Sequence, residues 1–385
     1  MLSILIFVAV LGLLVFVHEL GHFLTAKFHG IHSDEFGFGF PPRLGGVYKD
    51  DETGCYRLIL GNRDVVTKNT IYSLNWIPLG GFVKIKGEDG IEGSTPEADS
   101  FAEKSAWVRI QVTVAGVVMN LLLAWVLISI VFMIGLPQPI AENERSLYPD
   151  ARIQILSVKP DTPAASMGLQ PGDIILSLDN QKIETLEQVG EYIRAHKGKD
   201  ITVKVSRFGK EMTIHGTPLA TTKENEGSLG ISYSLTATVK HTLLGSIKDG
   251  FVSTLTITGA IFAALGKMVV GLVTGQGGAG AEITGPVGIV YLTKQMSDLG
   301  IAYLLQFAAL LSINLAIINI LPIPALDGGR ILFILIEKIK GRPLNQRVEG
   351  IIHQTGFILL LLLMLFVTIK DFVTFDILAK IASLF

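Results

Sequence analysis

The chain has 385 residues, of which 49% are hydrophobic and only 17% are charged, and its formal net charge is −2. This composition is typical of a membrane protein with room for one water-soluble domain. The near-neutral charge gives no reason to expect nucleic acid as a partner, and the single cysteine, Cys55, excludes an intrachain disulfide.

The first apolar segment, residues 1–26, is long enough to cross a bilayer and contains the pentapeptide HELGH. Its histidines, His18 and His22, are four residues apart, so they share one face of a helix and can bind one metal ion. Glu19 follows the first histidine, where a carboxylate can act as a general base towards water. Such groups are costly in hydrocarbon, and we therefore predict a metal site rather than a chance match.

Residues 27–109 predict a small β-rich region on the cytoplasmic side of the membrane. The segments Phe36–Phe40, Tyr56–Leu60 and Gly81–Lys86 have the alternation of apolar residues and the glycines typical of short strands and hairpins. We expect this sheet to lie against the membrane and the histidine-bearing helix. An ordinary cytoplasmic loop is the alternative.

A second span is predicted at residues 110–136, and a region of soluble composition follows at residues 152–219. In that region short alternating strands flank two helical turns, and the run SMGLQPGDIILSLDNQKI resembles a PDZ domain. PDZ modules bind extended peptides by adding a strand to a sheet edge, often at a C-terminal carboxylate. A peptide or a C-terminus is therefore a predicted partner.

Residues 243–300 are apolar but contain Lys248, Asp249 and Lys267. The segment 243–274 reads either as a fifth span or as amphipathic helices in the membrane interface. A full crossing would place the next polar motif on the opposite membrane face from His22. We therefore predict an interfacial or re-entrant region, with a flexible Gly/Ala linker at residues 275–280.

A third span is predicted at residues 301–329, a basic cytoplasmic loop at residues 330–350 and a fourth span at residues 351–372. Lysines and arginines crowd the loops 27–109 and 330–350, which the positive-inside rule assigns to the cytoplasm. The PDZ-like region then lies outside the cytoplasm. Asp371, near the end of the last span, is expected to be an ordinary acid facing water.

A catalytic zinc site usually has three protein ligands, so the two histidines need a partner. Asp327, in the sequence NILPIPALDGG, is the best candidate because it lies at the cytoplasmic end of the third span. His18 and His22 lie roughly 8–14 Å along the helix axis from Lys27, a comparable depth. The prolines and glycines around Asp327 break the helix and allow the carboxylate to turn inward. A helix-end acid facing water is the alternative.

These motifs, with NWIPLGGFVKIKGED before the second span and ITGPVGI at residues 283–289, resemble the bacterial site-2 proteases, which are intramembrane zinc metalloproteases. The resemblance implies Zn2+ as cofactor, His18, His22 and Asp327 as its ligands, and Glu19 as the catalytic base. It also implies a contact of Asn319 with the substrate backbone or oxyanion. Substrates would be single-span proteins of the bacterial cytoplasmic (inner) membrane, such as anti-sigma factors or signal-peptide remnants.

Two departures from the family pattern concern the second span and the sheet. Gly116 is followed by Val117 where the family often has Gly-Pro, which weakens a role for Asn120, and the family's Gly-x-Gly-Pro pattern is loosened at residues 39–42. The sequence thus predicts a polytopic α-helical membrane protein with four transmembrane helices, a membrane-associated β-hairpin or sheet region and one extracytoplasmic PDZ-like α+β domain. A non-catalytic, membrane-anchored PDZ adaptor is the alternative function, and zinc content distinguishes the two.

Overall fold

The computed structural model of the chain describes residues 2–63, 65–88, 97–159, 161–220, 228–274, 285–342 and 344–374. The described helices are α1 (Leu2–Phe28), α2 (Ala106–Ile134), α3 (Pro163–Met167), α4 (Leu186–Ala195), α5 (Leu243–Thr274), α6 (Pro286–Leu299), α7 (Ile301–Ile320), α8 (Asp327–Lys340) and α9 (Gln346–Thr374). The strands are β1 (Ser33–Lys49), β2 (Tyr56–Leu60), β3 (Ile71–Ile85), β4 (Leu136–Pro139), β5 (Arg152–Val158), β6 (Ile174–Leu178), β7 (Gln181–Lys182), β8 (Ile201–Arg207), β9 (Lys210–Gly216) and β10 (Ile231–Val239). These elements form two compact units, one made of Met1–Ile130 and Ser246–Phe385 and the other of Val131–Gly245.

Within the described residues, five helices are long and apolar enough to cross a membrane, one more than the four predicted. They are Leu2–Phe28, Ala106–Ile134, Leu243–Gly271, Ile301–Ile320 and Arg347–Phe372. The additional one belongs to α5, which runs unbroken for 32 residues because its three charges interrupt neither the apolar composition nor the helical backbone. The linker predicted at residues 275–280 lies outside the described residues.

Residues 330–350, predicted as a loop, contain most of helix α8. The helix forms because one face is apolar: Ile334 is buried with Ala26 and Val112 in a shared core. It ends where Gly341 adopts a left-handed conformation that favours glycine. The polypeptide after the third span therefore packs back against the ends of α1 and α2.

The first unit contains a three-stranded antiparallel sheet in the order β2-β1-β3, with strands at all three predicted segments. Strand β3 bends, so that Phe36 of β1 pairs with both Tyr72 and Val83. The sheet packs on α1 through aromatic side chains, with the Phe36 ring centroid 4.6 Å from that of Phe23. Gly80 brings the bent strand against α1, because a β-carbon there would lie 2.5 Å from Val15 Cβ.

The second unit is an antiparallel sheet in the order β4-β10-β5-β6-β8-β9, with β7 paired to β6. Helices α3 and α4 cover a core in which Ile155, Val205 and Leu235 are fully buried. The unit is larger than the region 152–219 predicted from the sequence. The reason is long-range pairing: β10 joins β5 to β4, and β4 directly follows α2.

Asp371 does not face water as expected, since it is only 3% exposed. Its carboxylate accepts the backbone N–H groups of Gly285 at 3.1 Å and Gly288 at 2.8 Å. These are unpaired donors at the N-terminus of α6, where the helix dipole also favours a negative charge. Asp371 thus caps a helix that lies more than eighty residues away along the chain.

Candidate active site

The two histidines of HELGH lie on the face of α1 that packs against α2. His18 is 5% and His22 is 8% exposed, and their Nε2 atoms are 3.1 Å apart. Two glycines allow the helices to approach this closely. A β-carbon on Gly21 would lie 2.5 Å from Ala115 O, and one on Gly116 would lie 2.5 Å from His22 Nε2. The site therefore depends on small residues as well as on its polar groups.

The turn between α7 and α8 directs Asp327 inward. Helix α7 ends at Ile320 and α8 begins at Asp327, and the intervening segment contains two prolines that cannot continue a helix. Gly328 permits a tight return of the backbone, because a β-carbon there would lie 2.2 Å from Leu321 O. His353 of α9 supports the turn, since the Ala325 N–H donates to its Nδ1 at 2.9 Å. Sequence reasoning missed His353, because no local pattern links it to this turn.

Asp327 meets both histidines. Its Oδ2 lies 3.0 Å from His18 Nε2 and 3.5 Å from His22 Nε2. The three groups offer one ligand atom each, all within 4.8 Å of one another. Oδ2 is buried and makes no hydrogen bond in the described part of the chain. Two imidazole nitrogens and one carboxylate oxygen are a donor set that suits zinc, and a cation would satisfy the buried oxygen.

Contacts with the outer nitrogens orient the two rings. His22 Nδ1 lies 2.8 Å from Val112 O, so it carries the proton and leaves Nε2 free to bind a cation. Asn120, which is fully buried, places its amide 3.2 Å from His18 Nδ1. Its Oδ1 makes no hydrogen bond in the described residues, and the reversed amide would let this oxygen accept from His18 Nδ1–H. Asn120 therefore has a closer connection to the site than the altered Gly-Val pattern at residues 116 and 117 indicated.

The remaining predicted residues differ in how they reach the cluster. Asn319, at the end of α7, places its amide Nδ2 3.3 Å from His18 Nε2, on the ligand side of the ring. Glu19 is half-buried on α1, near enough to interact electrostatically with His18, His22 and Asp327. The arrangement provides a cation site flanked by one carboxylate and one amide.

A polar cavity of about 420 Å³ adjoins the first turn of α8. Arg330, three residues after Asp327, forms an ion pair there with Glu88 from the segment following β3. Arg109 pairs with Glu337 at 2.6 Å across the same cavity. These charged groups make the cavity a place that water can occupy, beside the turn that carries Asp327.

Long apolar helices that carry a buried His-His-Asp cluster define a membrane metalloenzyme of the hydrolytic type. The chain belongs to peptidase family M50, whose family model matches residues 6–363. It is a zinc metalloprotease, and the resemblance to site-2 proteases seen in the motifs is confirmed. This membership favours the peptidase over the non-catalytic adaptor.

Full-length relatives carry names consistent with this assignment. Zinc metalloprotease RasP of Geobacillus kaustophilus is 32% identical, over 96% of this chain and 97% of its own. The regulator of sigma-W protease RasP of Bacillus subtilis is also 32% identical, over 96% and 98% of the two chains. A putative zinc metalloprotease of Clostridium perfringens is 35% identical, over 94% and 95%.

Among solved structures, the PDZ domain of the SdrC-like protein Lin2157 from Listeria innocua is similar at 29% sequence identity. The match covers 21% of this chain and 92% of that domain, with a TM-score of 0.20.

Proposed function

We propose that this protein is an intramembrane endopeptidase in which His18, His22 and Asp327 bind the zinc ion. The observation that carries the proposal is the convergence of these three ligand atoms within 4.8 Å of one another. The ligands come from α1 and from the turn after α7, two helices with the composition of membrane spans. Bound zinc supplies Lewis-acid chemistry, which lowers the pKa of water and polarises a carbonyl.

Glu19 is the proposed general base, and Asn319 the proposed substrate-binding amide. Glu19 follows a zinc ligand on α1, takes a proton from the attacking water and later delivers it to the leaving amine. The Asn319 Nδ2–H group donates to the carbonyl oxygen of the scissile peptide, where negative charge develops. Its position 3.3 Å from His18 Nε2 supports this role.

The proposed substrates are single-span membrane proteins, such as anti-sigma factors or signal-peptide remnants. The Bacillus subtilis relative is named for regulating sigma-W. A transmembrane helix hides its carbonyls in internal hydrogen bonds, so it must extend before hydrolysis. Gly80 and Gly81 of β3 lie against Val15 and Phe16, about one turn before His18. We propose that an extended substrate pairs with this sheet and recovers the lost hydrogen bonds.

We propose that four helices cross the membrane completely and that α5 does not. The start of α5 lies against the later part of α2, where Trp125 Nε1–H donates to Ile247 O at 2.8 Å. Gly285, which follows residues 275–284, lies against Asp371. Asp371 is near the C-terminal end of α9, whereas the N-terminal end of α9 follows α8. The chain thus leaves and re-enters on one side of the bundle. If α5 crossed the membrane, the chain would have to cross back within residues 275–284. This segment has only about half of the ~20 residues that a membrane-spanning helix needs.

The basic ends of α1, α2 and α8 support a cytoplasmic location for the active-site end of the helices in the bacterial cytoplasmic membrane. The Val131–Gly245 unit then lies outside the cytoplasm. We propose that this unit is the PDZ-like module expected from the sequence, and that it binds an extended peptide or a C-terminus by strand addition.

The test compares the purified full-length protein with its Glu19→Gln variant on a panel of tagged single-span proteins, with and without chelator. Wild type should cleave at least one of them inside the membrane segment, and chelator should abolish cleavage. Glu19→Gln should contain zinc in the wild-type ratio and cleave nothing. Cleavage by Glu19→Gln would refute the general-base role, and a wild type without zinc would refute the metal site.

A further inference from the structure

A second cavity, of about 440 Å³, lies between the C-terminal end of α1 and the sheet, away from the histidine cluster. It opens at the level where the apolar span ends, since Lys27 is in the last turn of α1. Three lysines, one histidine and two tyrosines contribute polar groups to its wall: Lys27, His32, Lys49, Tyr56, Lys68 and Tyr72. The mechanism proposed above does not use this cavity.

The cavity carries a surplus of positive charge. Lys27, Lys49 and Lys68 form no ion pair with a carboxylate among the described residues. Asp99 is the acid among the described residues of the wall. Lys86 pairs with it at 3.0 Å and also with Glu97, which is not part of the wall. That ammonium group also holds the pKa of the Asp99 carboxyl below its usual range. The wall therefore contributes three ammonium groups and one carboxylate, a balance of charge that favours an anion.

One polar side chain in the wall is buried without a partner. Ser33, the first residue of β1, is 3% exposed, and its Oγ makes no hydrogen bond in the described part of the chain. A buried hydroxyl without a hydrogen-bond partner destabilises the folded protein. A hydroxyl can donate to an anionic oxygen, so an anion in the cavity would satisfy it.

An apolar cleft on the sheet adjoins the basic cavity. Tyr72 lines both, and Phe23 of the basic cavity stacks on Phe36 of the apolar cleft. The cleft has a volume of about 520 Å³ and is lined by aromatic and aliphatic side chains, among them Leu58 and Leu60 of β2. These two leucines are 70% and 65% exposed, as suits residues that face lipid.

We propose that the two cavities together form a binding site for an anionic phospholipid. The phosphate of the headgroup lies among Lys27, Lys49 and Lys68 and accepts from the Ser33 hydroxyl. An acyl chain lies in the apolar cleft along β2. A basic pocket at the end of a membrane helix that adjoins an apolar cleft matches the two halves of such a lipid. The lipid would hold the sheet against α1 close to the active site.

The test measures lipid binding to the full-length protein in neutral detergent by native mass spectrometry. Phosphatidylglycerol should bind as a discrete adduct, whereas phosphatidylcholine, whose headgroup is neutral overall, and glycerol 3-phosphate, which lacks acyl chains, should bind at least tenfold more weakly. The double variant Lys49→Gln/Lys68→Gln should lose roughly tenfold or more in phosphatidylglycerol affinity, because it removes two positive charges that attract the lipid phosphate.

Two variants keep the test specific. Lys338→Gln/Lys340→Gln removes the same charge from the last turn of α8 and should leave binding unchanged. Ser33→Ala should weaken binding severalfold without lowering the thermal stability of the lipid-free protein, because its hydroxyl has no partner there. Equal binding by the two double variants would overturn the proposal. If glycerol 3-phosphate bound as tightly as phosphatidylglycerol, the cavity would be a phosphate site and the lipid proposal would be wrong. If a soluble acidic peptide displaced the lipid at a lower concentration, the cavity would be a binding site for protein segments instead.

Discussion

The backbone of Gly116 lies so close to the histidine pair that a β-carbon there would meet His22 Nε2 at 2.5 Å and His18 Cε1 at 2.6 Å. Gly116→Ala should therefore push the imidazoles or helix α2 away from their positions. Overpacking of this kind costs about 1–3 kcal/mol, which corresponds to a loss of roughly 5- to 150-fold in zinc affinity if the strain falls on the bound site. Zinc titration of the purified variant measures this, and cleavage should fall with zinc content.

The matched control for Gly116 is Gly259, which also lies inside a helix. A β-carbon on Gly259 would meet nothing within 4 Å. Gly259→Ala should keep zinc affinity and activity, and it should gain up to about 1 kcal/mol in stability from helix propensity. Wild-type zinc affinity in Gly116→Ala would contradict the close packing described at the site.

Two asparagines contact His18 on opposite sides of its ring, and we expect them to have different roles. Asn120 lies 3.2 Å from Nδ1 and Asn319 lies 3.3 Å from Nε2. Asn120→Ala should lower zinc affinity by about 10- to 100-fold, because partners of this kind orient metal ligands. Asn319→Ala should keep zinc and lower kcat by about 100-fold or more, because an oxyanion donor acts in the transition state.

The comparison needs zinc titration and steady-state kinetics on the same preparations. Saturating zinc should restore activity to Asn120→Ala but leave Asn319→Ala impaired. If saturating zinc rescued both variants equally, Asn319 would be a positioning residue and not a substrate contact.

Asp371 holds α6 to α9, so its removal should destabilise the fold without touching the metal site. Asp371→Asn replaces one acceptor oxygen with an NH2 group that faces a backbone N–H. The cost should be about 1–3 kcal/mol, seen as a lower unfolding temperature in detergent. Asp298→Asn, an exposed acid on the same α6, should change stability by less than about 0.5 kcal/mol. Loss of zinc from folded Asp371→Asn protein would show that α6 also supports the active site.

Local sequence patterns predicted the parts of the site that depend on spacing within one helix. His18 and His22 share a face because they are four residues apart, and Asp327 could be matched to them by depth in the membrane. Asn120, His353 and Asp371 act instead through contacts with residues far along the chain. No periodicity marks such contacts, so their partners emerged only from the folded arrangement.

The same limit explains the differences in the fold. Alternating apolar residues located the strands of the sheet, but they do not reveal that β3 bends so that Phe36 pairs with it twice. Residues 243–274 were predicted as an interfacial or re-entrant region because a crossing would separate Asp327 from His22, and the structure shows that they form one continuous helix of 32 residues. The extent of the second unit was underestimated because β4 and β10 are distant in sequence and meet only by pairing.

The boundaries of the second unit show where it can be removed from the chain without disturbing the helices on either side. Phe132 O accepts the N–H of His241 at 3.0 Å, so the two ends of the unit are adjacent. Replacing residues 135–240 with a short Gly/Ser linker should therefore leave α2 and α5 in place. The shortened protein should keep zinc and Glu19-dependent cleavage but cut a different set of single-span substrates, measured on the same tagged panel.

A deletion of residues 152–219 alone should behave differently. It removes β5, the partner of β10, and leaves Leu235 without the core that buries it. The remaining strand edge and exposed apolar residues should cause aggregation, detected by size-exclusion chromatography.

For the 135–240 replacement, the contrary outcome is a monodisperse protein that has lost zinc. The second unit would then be required for the metal site itself, and its role would be structural rather than the selection of substrates.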